Sequence, residues 1–365
     1  MSTSTSTGTP TVVEVDLLVV GAGPVGLFGA YYAGFRGLSC ALIDSLPEVG
    51  GQISAMYPEK QIFDVAGFPA VRGRDLVANL RAQADRFGPA YLLGHKADRL
   101  ERLPDAANGA PRFTVTSHRG AVVRCGAVVV TGGIGTFTPR PLPAGSQFEG
   151  RGLSYFVPSL DAHAGKDVVI VGGGDSAFDW ALSLGPIAAS VTLVHRRDAF
   201  RAHAHTVAEV RRSGVQIITN AQVKNINGNG HVESVDVHHE PTGEVRSLPA
   251  QEVVAALGFT ANLGPLLQWG IAIQDRRHIL VDTTMAVRRA GEERAGEESG
   301  PTAQSTDVRG IYAAGDITEY PGKVRLIAVG FGEVATAVNN AAVLLDPGAA
   351  LFPGHSTDAV PVPAA

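Results

Sequence analysis

Between Asp16 and Gly26 the chain reads DLLVVGAGPVG, an apolar run that breaks into three glycines at the spacing GxGxxG. Asp16 to Val20 has the composition of a buried strand, and Val25 to Phe35 carries the apolar pattern of a helix. Between them each glycine has its own task. Gly21 makes the tight turn, Gly23 lets backbone approach a pyrophosphate, and Gly26 lets helix and strand pack closely. The helix start offers free N–H groups and a positive dipole end to phosphates. A following strand, Ser39–Asp44, ends in an acid 23 residues past Gly21, where a carboxylate can grip a ribose hydroxyl. The plainer alternative is a glycine-rich turn in an ordinary βα unit.

The design recurs. From Lys166 the chain reads KDVVIVGGGDSAFDWALSLG: a strand at Val168–Val171, glycines at Gly172 and Gly174 with Ala177 in the third place, a helix, and a strand at Ser190–His195. An internal repeat of this kind weighs more than either motif alone. The copies differ at the end of the second strand. The first ends in Asp44; the second ends in His195-Arg196-Arg197, with Arg201 close behind. An acid suits a free ribose 2′-hydroxyl, whereas arginine suits a 2′-phosphate, which its guanidinium can meet in bidentate fashion. The first turn is therefore expected to take FAD or NAD, and the second NADP(H). Arg196 and Arg197 could instead be a solvated strand end.

With 365 residues, 45% hydrophobic and 18% charged, the chain has the content for an ample core and about two domains. A net charge of −5 argues against nucleic acid as a main partner, which would need a basic face. Cys40 and Cys125 each lie in an apolar strand-like run and form no CxxC, so the cytoplasm is the expected compartment. No run of 18 apolar residues is present, so no membrane span is expected. The polar start MSTSTSTGTPT lacks the features of a signal peptide and reads as a disordered tail over 1–14.

Along the rest of the chain, a helix is expected near Gly73–Arg86. A hairpin follows at Phe113–Ser117 and Ala121–Arg124, then a separate strand at Ala127–Val130 leading to Thr131-Gly132-Gly133. Arg288–Asp307, rich in charge, Gly and Ser, reads as a solvated surface loop. Gly310–Ile317 is a short strand ending in Gly315-Asp316, and Val324–Leu345 a long helix opening near Leu326. His203-x-His205 lacks the third ligand that a metal site needs, and no metal is expected.

The paired glycine motifs, the Thr131–Gly133 return and Gly315-Asp316 together resemble thioredoxin-reductase-like flavoproteins. More specific stretches are GGQISAMYPEKQIFDVAGFP (Gly50–Pro69), HRRDAFRAH (His195–His203), GFTANLGPL (Gly258–Leu266), YPGKVRLIAVGFGE (Tyr320–Glu333) and GHST (Gly354–Thr357). With these the chain, from about Val15 to Thr357, resembles type 2 ferredoxin–NADP reductase. Where thioredoxin reductases carry their CxxC, this chain has Phe156 and Ser159 in SYFVPSLD. Without thiols, electrons cannot leave through a protein disulfide. The insertion at Arg288–Asp307 and Ala204, where the family often has an acid, depart from the pattern.

The resemblance implies an α/β fold of two Rossmann-like dinucleotide-binding domains. The FAD domain (15–140 and 265–350) would be split by an inserted NADP domain (141–264), with a C-terminal extension over 351–365. It implies that Gly21, Gly23, Val25 and Gly26 lie on the FAD pyrophosphate and Asp44 on the adenosine ribose. Ala97 would meet the adenine through its backbone, and Asp316 the ribityl chain. Gln52 and Tyr57 would face the flavin, with Phe137 nearby. His355, Ser356 and Thr357 would lie over its other face, reached from the second subunit of a homodimer. NADP(H) would take Gly172, Gly174, Asp175, Ser176, Arg196, Arg197 and Arg201.

The activity implied is transfer of electrons between NADP(H) and ferredoxin or flavodoxin through FAD. It requires no acid–base side chain, so none is assigned. The start of the Leu326 helix would stabilise charge on the reduced flavin. The alternatives are an NADPH-dependent oxidase or disulfide reductase of the same fold, and a non-enzymatic flavin redox sensor. The intact second turn with its arginines argues against the sensor.

Overall fold

A computed structural model of the chain describes residues 12–291, 308–355 and 357. Its helices are α1 (Pro24–Phe35), α2 (Gln52–Met56), α3 (Gly73–Asp85), α4 (Asp175–Leu184), α5 (Ala204–Arg212) and α6 (Ile327–Leu345). The chain folds as two compact units. One combines Met1–Ser54, Gln61–Thr136 and Ala261–Ala365; the other combines Ala55–Lys60 and Phe137–Thr260.

The first unit is built on a sheet whose strands run in the order Ala90–Leu93, Cys40–Asp44, Val12–Val20, Val122–Val130, Arg112–Ser117, Ala97–Leu103, with Ile311–Ala313 also pairing Val122–Val130. The Val12–Val20 strand has parallel partners on both sides, Cys40–Asp44 and Val122–Val130. Its Leu17, Leu18 and Val19 are fully buried, which accounts for an apolar run without alternation. Helix α6 packs on α1 so closely that a methyl at Gly29 would meet the Val334 side chain at 2.7 Å. By length and composition α6 is apolar enough to cross a membrane, although Glu333, Thr336, Asn339 and Asn340 interrupt its apolar run. Here Val334, Ala337, Val338, Ala341 and Ala342 are buried within the unit, as in a core helix.

Three expectations change in this unit. The strand after the Arg112–Ser117 hairpin partner is one continuous element, Val122–Val130, not two. Its first half pairs antiparallel with Arg112–Ser117, and its length pairs parallel with Val12–Val20. Gly126 does not break it; the missing side chain admits Leu345, which would stand 2.5 Å from a methyl there, a close approach of the kind that glycine marks in strands. Helix α6 begins at Ile327, because Leu326 is extended (φ −129°, ψ 146°). The start of the presumed insertion is ordered by pairing: Ala272 N–H donates to the Arg288 carbonyl (2.8 Å), Arg288 N–H to that of Leu280 (3.0 Å) and Ala290 N–H to that of Gly270 (2.9 Å). The remainder of the loop, 292–307, lies outside the described residues, as do 1–11 of the N-terminal tail and, at the C-terminal end, 356 and 358–365.

The second unit holds a parallel sheet in the order Leu153–Ser154, Glu252–Ala255, Asp167–Val171, Ser190–Val194, Gln216–Ile218. An antiparallel meander, Ala221–Asn227, Ser234–His239 and Glu244–Pro249, lies beside it in sequence. The chain enters this unit after Thr136 and leaves it after Thr260, four residues earlier at each end than the expected 141 and 264. Ala55–Lys60 also belongs here, although the sequence reading left it within 15–140. The reason lies in its partners. The Lys60 ammonium pairs with the Asp179 carboxylate on α4, and Tyr57 packs against the core that includes Phe178, Trp180 and Val157.

Candidate functional site

In the first unit the glycine turn closes at the carboxyl end of Val12–Val20. Gly21 has φ +114°, and a side chain there would strike the Thr131 carbonyl at 2.7 Å, so only glycine makes this turn without strain. The Thr131 hydroxyl donates to the Gly21 carbonyl (2.8 Å), a tie that the sequence showed only as the Thr-Gly-Gly return. Helix α1 follows with Gly23 as N-cap, Pro24 in its first turn and no side-chain cap. Its first amides therefore face outward for an anion. A methyl on Gly23 would find only the Gly51 Cα, at 3.9 Å. The turn is thus closed on its packing side and open on its N–H side, a cradle that fits a pyrophosphate.

Around it the unit gathers most of the expected first-site residues. The half-buried Asp44 accepts from Ala22 N–H at Oδ2 (2.7 Å) and from Leu46 N–H at Oδ1 (2.8 Å). Burial raises its pKa, and these amide bonds oppose the rise. Four acceptor positions on a carboxylate leave room for a ribose hydroxyl. His95 N–H donates to the Asp44 carbonyl (2.8 Å), two residues before the buried Ala97. Gly50 N–H donates to the Ala22 carbonyl (2.8 Å). The Gln52 amide, two residues on, lies where a methyl on Gly133 would meet it at 2.8 Å. On the other flank, methyls on Gly315 and Gly330 would meet Val25 at 3.2 and 2.5 Å, so the Asp316 turn leans on the glycine turn. Burial is also the main cause raising the pKa of Asp316, while the Lys323 and Arg325 charges pull it down.

The other expected residues lie on other elements. Tyr57 lies in the second unit. Phe137 is in the strand Thr136–Pro139. The C-terminal segment is anchored at the far end of α1, where the Arg36 guanidinium donates to the Ala350 carbonyl (2.8 Å). The exposed His355 ring stands edge-on to Phe352, centroids 5.2 Å apart. Thr357 is exposed, and Ser356 lies outside the described residues.

The second unit repeats the cradle. Gly172 packs so tightly that a methyl would strike the Ala256 carbonyl at 2.5 Å, whereas one on Gly174 would meet nothing within 4 Å. Gly174 caps α4 without a side-chain bond, and Asp175 and Ser176 open the helix. Beneath Gly173 lies the His195 ring, which a methyl would strike at 2.2 Å. Burial lowers the pKa of His195, a backbone hydrogen bond at Ala199 opposes this, and the charges of Arg196, Arg197 and Arg201 lower it further. The arginine loop is strapped to the turn: Arg201 N–H donates to the Gly173 carbonyl (2.8 Å) and His203 N–H to Asp175 Oδ1 (2.9 Å). Arg196, Arg197 and Arg201 are exposed. Among the described residues no group of three or more His, Cys, Asp or Glu could hold a metal ion.

With both turns described, the likeness to known proteins becomes informative. Residues 15–341 match the family model described as pyridine nucleotide-disulphide oxidoreductase. This chain belongs to that family. It is 59% identical over 342 residues to a protein of Frankia casuarinae named ferredoxin–NADP reductase, covering 94% of this chain and 98% of the relative. A protein of the same name from Symbiobacterium thermophilum is 44% identical, covering 94% and 96%. The fold is that of a solved thioredoxin reductase from T. acidophilum (TM-score 0.70, 24% identity, covering 90% of this chain and 98% of that one).

The family's name refers to disulphide chemistry, and the thiols of this member are not arranged for it. Cys40 and Cys125 are buried in strands, and burial pushes both thiols up to about 12. The attacking species is the thiolate, so neither offers one near neutrality. At the place of the missing CxxC, Phe156 stacks on Phe259 (5.3 Å, 7°). Ellman's reagent at pH 8 is expected to label no thiol in the folded protein and both in guanidinium. Rapid labelling of the folded protein would contradict this.

Proposed function

We propose that this chain moves electrons between NADP(H) and ferredoxin, with FAD at the first glycine turn and NADP(H) at the second. What carries the reading is the near full-length identity to proteins named ferredoxin–NADP reductase, on a chain whose two turns differ in the charge beside them. Bound FAD supplies the chemistry that accepts a hydride from NADPH and hands electrons on singly. The residues of the chain bind and orient. The α1 N-terminus faces the pyrophosphate and Asp44 the adenosine ribose. Ala97 meets the adenine through its backbone, and Asp316 the ribityl chain. Gln52, Tyr57 and Phe137 serve the flavin ring. The first turn of α6, which holds no acidic residue, stabilises negative charge there. The anchoring of the C-terminal segment at Arg36 supports His355, Ser356 and Thr357 acting on the partner subunit of a homodimer. Flavodoxin is an equivalent acceptor in this reading.

The test is a stopped-flow mix of the flavin-loaded protein with NADPH or NADH. Fast bleaching of the yellow colour by NADPH and slow bleaching by NADH is expected, together with ferredoxin-dependent reduction of cytochrome c and no reduction of a protein disulfide. A protein that NADPH does not bleach would be a flavin sensor. Disulfide reduction without ferredoxin activity would restore the disulfide reductase reading.

A further inference from the structure

Helix α6 is apolar along most of its length, yet Glu333 sits in its buried face, 5% exposed. It is the one carboxylate among the described residues buried to this degree. Burying an unpaired carboxylate is prohibitively unfavourable, and Glu333 is fully engaged. Oε2 accepts the Gly315 amide (2.7 Å); Oε1 accepts the Tyr320 hydroxyl (2.6 Å) and the Lys323 ammonium. The Lys323 side chain is itself 1% exposed. A buried ion pair of this kind is weak evidence of added stability, since replacing both partners by apolar groups is often neutral or better. Something other than stability is then needed to account for it, and the bond to Gly315 supplies it.

Gly315 opens the turn that carries Asp316. Glu333 takes the amide of this first residue, and the turn closes on itself where the buried Thr318 hydroxyl donates to the Gly315 carbonyl (2.8 Å). The same glycine rests on Val25, at the start of α1. The Asp316 carboxylate is thereby set relative to the first glycine turn by contacts that do not involve its own side chain.

We propose that Glu333 is a positioning residue for the flavin: through the Gly315 amide it fixes the Asp316 turn, while Lys323 and Tyr320 hold its carboxylate in the orientation that does so. The proposal rests on the reading that Asp316 grips the ribityl chain of FAD.

The test uses full-length, flavin-loaded protein and follows FAD release on dilution by the return of free-flavin fluorescence. Both Glu333 substitutions are made in a Lys323→Met background, so that neither charge is left buried without its partner, and the parent protein is the reference. In that background, Glu333→Gln keeps an oxygen for the Gly315 amide and Glu333→Leu removes it. The glutamine variant is expected to release FAD within about threefold of the parent, and the leucine variant about tenfold faster or more than the glutamine variant, as loss of one such hydrogen bond implies. Asp316→Ala alone speeds release. Added to the leucine variant it brings little further change, because two residues acting on one contact are not additive. Equal release from the glutamine and leucine variants, or fully additive losses, would overturn the proposal. If Asp316→Ala leaves release unchanged, the ribityl reading fails first and carries the proposal with it. Melting temperatures measured alongside identify any variant whose loss is merely one of folding.

Discussion

Replacing Arg196 and Arg197 together by alanine should lower kcat/KM for NADPH by about two to four orders of magnitude, at roughly 1.5–3 kcal/mol for each charge-assisted bond. Activity with NADH should stay within about threefold. The two residues are exposed, so the fold does not depend on their charge. The end of the loop that follows them, by contrast, is tied down. Arg201 N–H is held by the Gly173 carbonyl and His203 N–H by Asp175, and the His195 ring fills the space under Gly173. The guanidinium groups thus start from a loop already anchored beside the turn, which lowers the ordering cost of binding. The expected preference for a 2′-phosphate is assigned to the two arginines. Steady-state diaphorase assays with both nucleotides decide the matter. An unchanged ratio of NADPH to NADH efficiency would make Arg196 and Arg197 a solvated strand end.

The glycine turns were legible in the sequence because their chemistry is local. Strand, turn, helix and the residue ending the next strand all lie within about 30 residues, and each glycine has a steric reason that a single stretch can state. What the sequence hid depends on partners far along the chain. Ala55–Lys60 reads as a loop of the first unit, but Lys60 finds Asp179, 119 residues away. The strand Val122–Val130 reads as two pieces because Gly126 interrupts it, and the reason for that glycine, Leu345, stands at the other end of the chain. Arg288–Ala290 looks like the start of a charged loop, yet its backbone completes pairing with residues 270–272 and 280. Glu333 is a lone carboxylate in an apolar helix. Its meaning comes from Gly315, Tyr320 and Lys323, which periodicity along α6 does not reveal.

Two substitutions in one turn should separate folding from cofactor binding. Gly26→Ala is expected to destabilise the protein by about 3 kcal/mol or more, at the upper end of overpacking effects. Its methyl would stand 1.9 Å from the Gly21 carbonyl oxygen and 2.8 Å from the Thr131 hydroxyl. The first obstacle is backbone and cannot swing aside, so helix α1 must move off the strand. Gly23→Ala is different. Its φ of −71° suits any residue, and its methyl would meet only the Gly51 Cα at 3.9 Å. The flavin-free fold should therefore keep its stability within about 0.5 kcal/mol. The same methyl points where a pyrophosphate must come close to the backbone, so FAD retention should fall by about tenfold or more, given that even one lost charge-assisted bond is that large. Thermal unfolding of the flavin-free proteins and FAD release from the loaded ones measure the two effects apart. If Gly23→Ala holds FAD as well as the parent, the pyrophosphate does not pass over this turn, and the first cradle must serve some other part of the ligand. If Gly26→Ala unfolds at the parent temperature, α1 is not packed on its strand through this glycine.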